Sequence, residues 1–175
     1  MKLHVGCAMW NHAPWQGRYL PGSLAPRDRL RAYATWCNAV EGNTTFYATP
    51  ALPTVRSWAG QTGPDFRARP VDSAAAVLQP GRPGRSHRSR ALTPYPVVRY
   101  IGRDDAARTV AGWQPWLETV AGWLREGRSP TVFIHTPDNV DALELARRFH
   151  DEVRVRVPEV EPLPEPVPAG PPTLF

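Results

Sequence analysis

The chain has 175 residues, a formal net charge of +5, and 42% hydrophobic and 21% charged residues, a composition typical of a globular domain. Its apolar runs fall well short of the roughly 20 residues that a transmembrane helix needs, and no signal segment precedes the first predicted strand. We therefore predict a cytoplasmic protein without a membrane partner.

Arginine and cysteine usage gives further indications about possible partners and about the state of the thiols. Lys2 is the lone lysine, so the positive charge is nearly all arginine, which either reflects a GC-rich genome or favours contact with nucleic acid. Net charge alone does not decide between the two. Cys7 and Cys37 each lie in or beside an apolar run, which favours buried thiols over a disulfide or a metal pair. No metal-ligand spacing occurs, so the sequence identifies neither a metal nor a cofactor.

The first strand–helix unit is predicted at the start of the chain. Residues 3–7 form a short apolar strand, and the loop that follows contains Trp10. Residues 27–36 carry apolar side chains at helical spacing, which predicts an amphipathic helix.

The second unit places polar groups at the end of a strand. Residues 38–43 are predicted to form this strand, and because side chains alternate across a strand, Ala39, Glu41 and Asn43 share one face. A helix over residues 53–59 begins with a proline, which suits the first turn of a helix.

Regular patterning fails after a third predicted strand, which begins over residues 65–69. Residues 71–95 are rich in Arg, Pro and Gly, and the run from Gln79 to Arg90 lacks any hydrophobic period. Such a segment buries too little apolar area to offset its conformational entropy. We therefore predict a disordered linker.

Two further strand–helix units are predicted after the linker. Residues 96–102 form a strand, and a stripe of Trp, Leu and Val side chains predicts a helix that ends near Gly127. Residues 131–135 form the last strand, and the helix after it spans residues 140–150. The order βαβα, linker, βαβα indicates an α/β fold with a parallel sheet and helical crossovers.

Several motifs resemble the YecE-like family, also called domain of unknown function 72. The resemblance covers roughly residues 3–69 and 95–160, and it implies a TIM-like (β/α) barrel while leaving the reaction open. The most specific motif is VEGNTTFY at residues 40–47, and the other matching motifs are VGC at 5–7, MW at 9–10, WQG at 15–17, GRSP at 127–130 and HTPDN at 135–139.

The resemblance also implies that the middle of the barrel is missing. A complete barrel needs at least about 200 residues, and three or four βα units would stand where the linker stands. We therefore expect an incomplete barrel, an open parallel sheet of about five strands flanked by helices, with the first strand between the second and the last. Its uncovered edges raise the alternative of an inactive remnant of an internally deleted gene. The four predicted segments are N-terminal βα units at 1–70, the disordered linker at 71–95, C-terminal βα units at 96–157 and a Pro-rich disordered tail at 158–175.

Functional groups of such barrels lie where strands end and loops begin. Glu41 is the strongest catalytic candidate, either as a general base or metal ligand, or else as the ion-pair partner of Arg99. His135 is the second catalytic candidate, and its alternative is a hydrogen-bonded structural role. Together they suit a small-molecule or phosphodiester site, including metal-assisted hydrolysis. The spacing is not diagnostic, so the sequence does not decide whether the protein is an enzyme.

Further residues near the same strand ends are predicted to contact a ligand. Four of them have a structural alternative here: loop packing for Trp10, fixing of a loop for Asn43, and capping of a helix for Asp138 and Asn139. The predicted ligand-binding set is Trp10, Asn43, Tyr47, Arg99, Asp138 and Asn139.

The Pro/Glu-rich tail indicates a different class of function. Its last residues, Leu174 and Phe175, resemble the anchoring end of the pentapeptides that bacterial replication proteins insert into the sliding clamp. Pro171 stands where that motif has glutamine. Either the tail docks a nucleic-acid-associated partner such as the clamp, which would make the chain a non-enzymatic accessory protein, or its apolar end is accidental.

Overall fold

A computed structural model describes residues 1–42, 48–70 and 93–167. Within these ranges the chain forms strands and helices in alternation, with short 3₁₀ turns at Ala13–Trp15 and Pro26–Asp28. The strands are β1 (His4–Cys7), β2 (Ala39–Gly42), β3 (Arg67–Pro70), β4 (Val97–Ile101) and β5 (Thr131–His135), and the helices are α1 (Arg29–Tyr33), α2 (Leu52–Ala59), α3 (Ala106–Arg125) and α4 (Ala142–Arg156).

The five strands form one sheet in the order β3-β2-β1-β5-β4, and every pairing in it is parallel. The predicted open sheet is therefore confirmed, including the position of the first strand between the second and the last. Residues far apart in the chain become neighbours in this order. Cys7, for example, pairs with Val40 on one side and with Ile134 on the other.

One face of the sheet packs against the helices. Trp113 of α3 meets Phe149 of α4 edge-on at 5.4 Å between ring centroids, and α4 lies against β1 and β5. Burial of this apolar area is the main driving force for the fold. The strand side chains in this core are Val5, Cys7, Val40, Val98, Tyr100, Val132 and Ile134.

The opposite face of the sheet, which we call the inner face, carries the polar strand residues. Side chains alternate along each strand, and paired residues on neighbouring strands share a face. Glu41 pairs with Arg69, and Ile101 pairs with His135. The inner face is thus formed by Arg67, Arg69, Ala39, Glu41, His4, Gly6, Thr131, Phe133, His135, Val97, Arg99 and Ile101.

The seam between β1 and β2 is closed by side chains as well as by backbone. The hydroxyl of Tyr33 accepts a hydrogen bond from the Cys7 N–H and donates one to the Ala39 carbonyl, both at 2.8 Å. Asn38 adds a second bridge, since its side chain accepts from the N–H of Val5 and donates to the carbonyl of Leu3, just before β1. We call this set of contacts the β1–β2 seam.

Glycine 6 is required at this seam because of its close approach to β2. A methyl group on Gly6 would overlap the carbonyl oxygen of Ala39 and crowd the Tyr33 hydroxyl. The strands therefore come together only because no side chain stands at this position.

Helix ends differ from the predicted ones for local reasons. The predicted helix over 27–36 is shorter, because Pro26 opens a 3₁₀ turn and the N–H groups of Thr35 and Trp36 bond to carbonyls three residues back. The predicted end of α3 is confirmed: Gly127 has a φ of +80°, and the N–H groups of Gly127 and Arg128 bond back to Leu124 and Trp123. These two bonds form a Schellman motif. The last helix runs past 150 because Val153 is buried against the core.

The segment after α4 lies against the body of the protein over residues 158–167. Val160 and Leu163 are 4% and 6% exposed, which differs from the predicted disorder of this part of the tail. Prolines prevent a helix here, but the two apolar side chains still pack into the hydrophobic core. Among the residues described, no helix combines the length and the hydropathy that crossing a bilayer requires.

Arg147 of α4 holds this segment in place. Its Nη1 donates to the carbonyls of Thr35, Trp36 and Pro164 at 3.2, 3.1 and 2.9 Å, and its guanidinium lies over the Trp36 ring. One side chain thus joins α4, the end of the α1 region and the C-terminal segment.

Replacing Arg147 by alanine is expected to free residues 158–167. Loss of the three bonds should raise the rate of cleavage by a Glu-specific protease at Glu159–Val160 about tenfold, since proteolysis follows the population of the open form. Mass spectrometry of timed digests measures this rate. Arg148→Ala is the matched control, because Arg148 is half-exposed and pairs with Glu152 on its own helix. Equal rates in the two variants would contradict the role of Arg147.

Candidate functional site

Glu41 lies on the inner face at the end of β2, and only 4% of it is exposed. Its Oε1 accepts a hydrogen bond from Nε of Arg99 at 3.0 Å and a second, shorter one from Nη2. Arg99 comes from β4, so the ion pair crosses the two strands that lie between. The ion pair expected as the alternative for Glu41 is therefore present.

His135, at the end of β5, approaches the other oxygen of the same carboxylate. Its Nε2 lies 3.2 Å from Oε2 of Glu41, but the geometry is not that of a hydrogen bond. Both atoms are buried, and neither has a hydrogen-bond partner in the described part of the chain. Buried polar atoms are nearly always paired in proteins, so these two atoms are candidates for contact with a ligand.

The environment favours the ionised form of Glu41. Burial by itself would raise the pKa of this carboxyl group, but the contacts of His135 and Arg99 outweigh burial and lower the pKa from its ordinary value of 4.5. Glu41 therefore carries its negative charge at neutral pH, and Arg99 is the cation that balances it.

Arg69 places a second cation on the same face of the sheet, one strand away from Glu41. It is the register partner of Glu41 on the adjacent strand β3 and is half-buried, yet its guanidinium makes no hydrogen bond or ion pair with the residues that the structure covers. The three charged strand-end residues, Glu41, Arg69 and Arg99, have a net charge of +1. This corner of the inner face therefore attracts anions.

The loops at this edge of the sheet are held by the remaining predicted residues. Trp10 packs edge-on against Trp58 of α2 at 5.3 Å between ring centroids. Asp138 accepts from the N–H of Val140, and the Asn139 side chain accepts from the N–H of Thr136. Their bonds fix the loop between β5 and α4, whereas the N-cap position of α4 is Asp141.

Asn139 is further tied to the first loop. It has a φ of 55°, in the left-handed region that asparagine tolerates, and its carbonyl accepts a hydrogen bond from the indole of Trp15 at 2.8 Å. The loops after β1 and β5 are thus fixed to each other beside the Glu41 cluster. The other predicted site residues, Asn43, Tyr47, Leu174 and Phe175, lie outside the described residues.

The described part of the structure does not identify a metal site either. In residues 1–42, 48–70 and 93–167, no three side chains of His, Cys, Asp or Glu come together in a way that could hold a metal ion. Glu41 and His135 supply two such groups side by side.

Comparison with known proteins places this architecture in a family. The family described as "Protein of unknown function DUF72" matches residues 4–71 and 70–171. The chain belongs to the DUF72 family. Two curated relatives are the UPF0759 protein YecE of Escherichia coli strain K12 and that of Escherichia coli O157:H7. Each is 31% identical over 101 residues, which is 58% of this chain and 37% of the relative.

The match to these DUF72 relatives spans little more than a third of their length. The resemblance inferred from the sequence is confirmed at the level of the family, whose description names no activity. No solved structure matches the chain. These comparisons therefore assign no activity to this DUF72 chain.

Arg69 is the site residue of this DUF72 chain that sequence analysis missed. The alternation of Arg67 and Arg69 was visible before Pro70, and a strand with two arginines on one face would have been the signal. Its position opposite Glu41 depends on the β2–β3 register, which the sequence does not specify.

Proposed function

We propose that the Glu41 corner of the inner face binds a small molecule that bears a phosphate or carboxylate group. The observation that supports this most directly is the half-buried Arg69, which lies on the strand next to Glu41 and whose guanidinium has no partner among the described residues. Arginine recognises such anions through paired N–H donors. Arg99 uses Nε and Nη2 for Glu41, so its Nη1 can contribute a further donor.

We further propose that Glu41 and His135 transfer a proton to or from the bound molecule. Oε2 of Glu41 and Nε2 of His135 are buried 3.2 Å apart without hydrogen-bond partners among the residues described. A hydroxyl group of the bound molecule that takes the place of this contact could donate to Oε2 or accept from Nε2. A general acid or base needs contact of this kind with its substrate.

Titration with inorganic phosphate tests the binding step. Isothermal titration calorimetry of the intact chain at neutral pH should give a dissociation constant on the order of 1 mM, and Arg69→Gln should weaken it about tenfold through the loss of charge-assisted bonds. Glu41→Gln should strengthen it, because the variant removes a negative charge beside the anion.

A matched variant controls for the overall charge. Arg27→Gln removes one positive charge from a side chain that is 87% exposed, and it should leave phosphate binding unchanged. Equal weakening by Arg27→Gln and Arg69→Gln would show a general charge effect and would count against the site.

A chromogenic diester tests the proton transfer separately. Water would attack the phosphorus of bis(p-nitrophenyl) phosphate and break one P–O bond. The Glu41–His135 pair would take a proton from the water and pass it to the departing p-nitrophenolate, which leaves p-nitrophenyl phosphate and p-nitrophenol as products. Release of p-nitrophenol should be lost in both Glu41→Gln and His135→Gln. If phosphate binds and the wild-type chain releases no product, the binding role stands and the hydrolytic role does not.

A further inference from the structure

The outer edge of β4 carries a complete row of outward-facing backbone groups. Thr131 N–H donates to the Pro96 carbonyl, and Gly102 N–H donates to the His135 carbonyl, so the even-numbered residues of this stretch face β5. Backbone groups alternate in direction along a parallel strand. The N–H and C=O groups of Val97, Arg99 and Ile101 therefore point away from the sheet.

The outer edge of β3 presents fewer backbone groups for pairing than the edge of β4. Arg67 N–H donates to the Asn38 carbonyl, which directs Arg67 and Arg69 toward β2. Ala68 is then the residue of β3 whose N–H faces outward, since Pro70 has no N–H to donate. Within the described strands, β4 is thus the edge that can accept another strand.

Nothing on β4 itself blocks such pairing. Proteins usually protect a free edge with charged side chains, prolines or bulges. The guanidinium of Arg99 is directed across the inner face to Glu41, and Ile101 is apolar and 39% exposed.

We infer that β4 pairs with β4 of a second copy of this chain, antiparallel across a two-fold axis at Arg99. In this register Arg99 lies opposite its counterpart, and Val97 lies opposite Ile101 of the other copy. All three residues present outward-facing groups, so each opposed pair exchanges two hydrogen bonds. The result is six backbone hydrogen bonds and a ten-stranded sheet.

The pattern on β4 favours a copy of the same chain over an unrelated strand. A two-fold interface requires that one surface complement itself. The three outward-facing residues are symmetric about Arg99, with a β-branched apolar residue at each end, and such residues form favourable cross-strand pairs. The two central arginines do not oppose this arrangement, because each is neutralised by Glu41 of its own copy.

Sedimentation equilibrium over a wide range of concentration tests the pairing. The chain has a mass of 19.5 kDa, and the wild-type protein should approach twice that mass as its concentration rises. Ile101→Lys should sediment as a monomer, because a lysine at the seam of two edges opposes pairing. Ala68→Lys places the same charge on the β3 edge and should behave as the wild type.

Several results would overturn the inference. These are a wild-type chain that stays monomeric, a dimer that survives Ile101→Lys unchanged, and a dimer lost in Ala68→Lys alone. Hydrogen exchange of the wild-type chain provides a measurement that needs no variant. The amides of Val97, Arg99 and Ile101 should exchange more slowly as concentration rises, and rates independent of concentration would equally refute the pairing.

Discussion

Replacing Glu41 by alanine is expected to lower the free energy of unfolding by about 3 kcal/mol, since breaking a buried ion pair leaves one charge without its partner. The charge left behind is Arg99, whose side chain is 23% exposed and so only partly hydrated. Urea unfolding followed by circular dichroism measures the change. Glu118→Ala is the matched control, because Glu118 is 66% exposed where it meets Arg156, and exposed pairs contribute at most about 1 kcal/mol.

The effect of Glu41→Ala should also depend on pH. The pKa of Glu41 is lower in the folded chain than its ordinary value of 4.5, so the folded state favours the ionised carboxylate. This contribution to stability is present above the unfolded pKa and is lost as the pH falls through the folded pKa. The gap between the wild type and Glu41→Ala should therefore narrow in acid. A gap that is absent at neutral pH, or that widens in acid, would contradict the ion pair as a source of stability.

Removing the hydroxyl of Tyr33 should lower the free energy of unfolding by nearly as much as Glu41→Ala does. Tyr33→Phe leaves the Cys7 N–H and the Ala39 carbonyl without a partner at the β1–β2 seam, and each unsatisfied buried group costs about 1–3 kcal/mol. We expect a total loss of about 3 kcal/mol in the free energy of unfolding, measured by thermal and urea denaturation.

Tyr100→Phe is the control for the loss of a buried hydroxyl. Tyr100 is as deeply buried as Tyr33, but its hydroxyl donates a single bond, to the Thr109 carbonyl. Its removal should cost about 1 kcal/mol. If the two variants lost equal stability, the bridging role of Tyr33 in the seam would be refuted.

The order of the strands could be predicted because it follows from patterns that span whole segments. Alternation of strands and helices indicates a parallel sheet, and the resemblance placed the last strand beside the first. Glu41 and Arg99 could be proposed as partners for the same reason, since both stand on strands with a shared inner face. These inferences need the topology alone and tolerate errors of a residue or two.

The details that depend on exact register could not be predicted. The position of Arg69 opposite Glu41 requires the pairing of β2 and β3, and the role of Tyr33 requires knowing that a helix side chain enters the space between two strands. The burial of Val160 and Leu163 could not be predicted from their proline-rich surroundings, because composition alone does not show that two isolated apolar residues reach a core. In each case the tertiary contact outweighs the local signal.

The position of the β1–β2 seam has a consequence for how the two halves of the site stay together. Glu41 and Arg69 belong to the pair of strands on one side, whereas Arg99 and His135 belong to the three strands on the other. Parting of the sheet at that line would pull the carboxylate away from both of its partners. An anion bound by both Arg69 and Arg99 would link the two groups of strands across the β1–β2 seam. Its binding would therefore raise the thermal stability of the whole sheet.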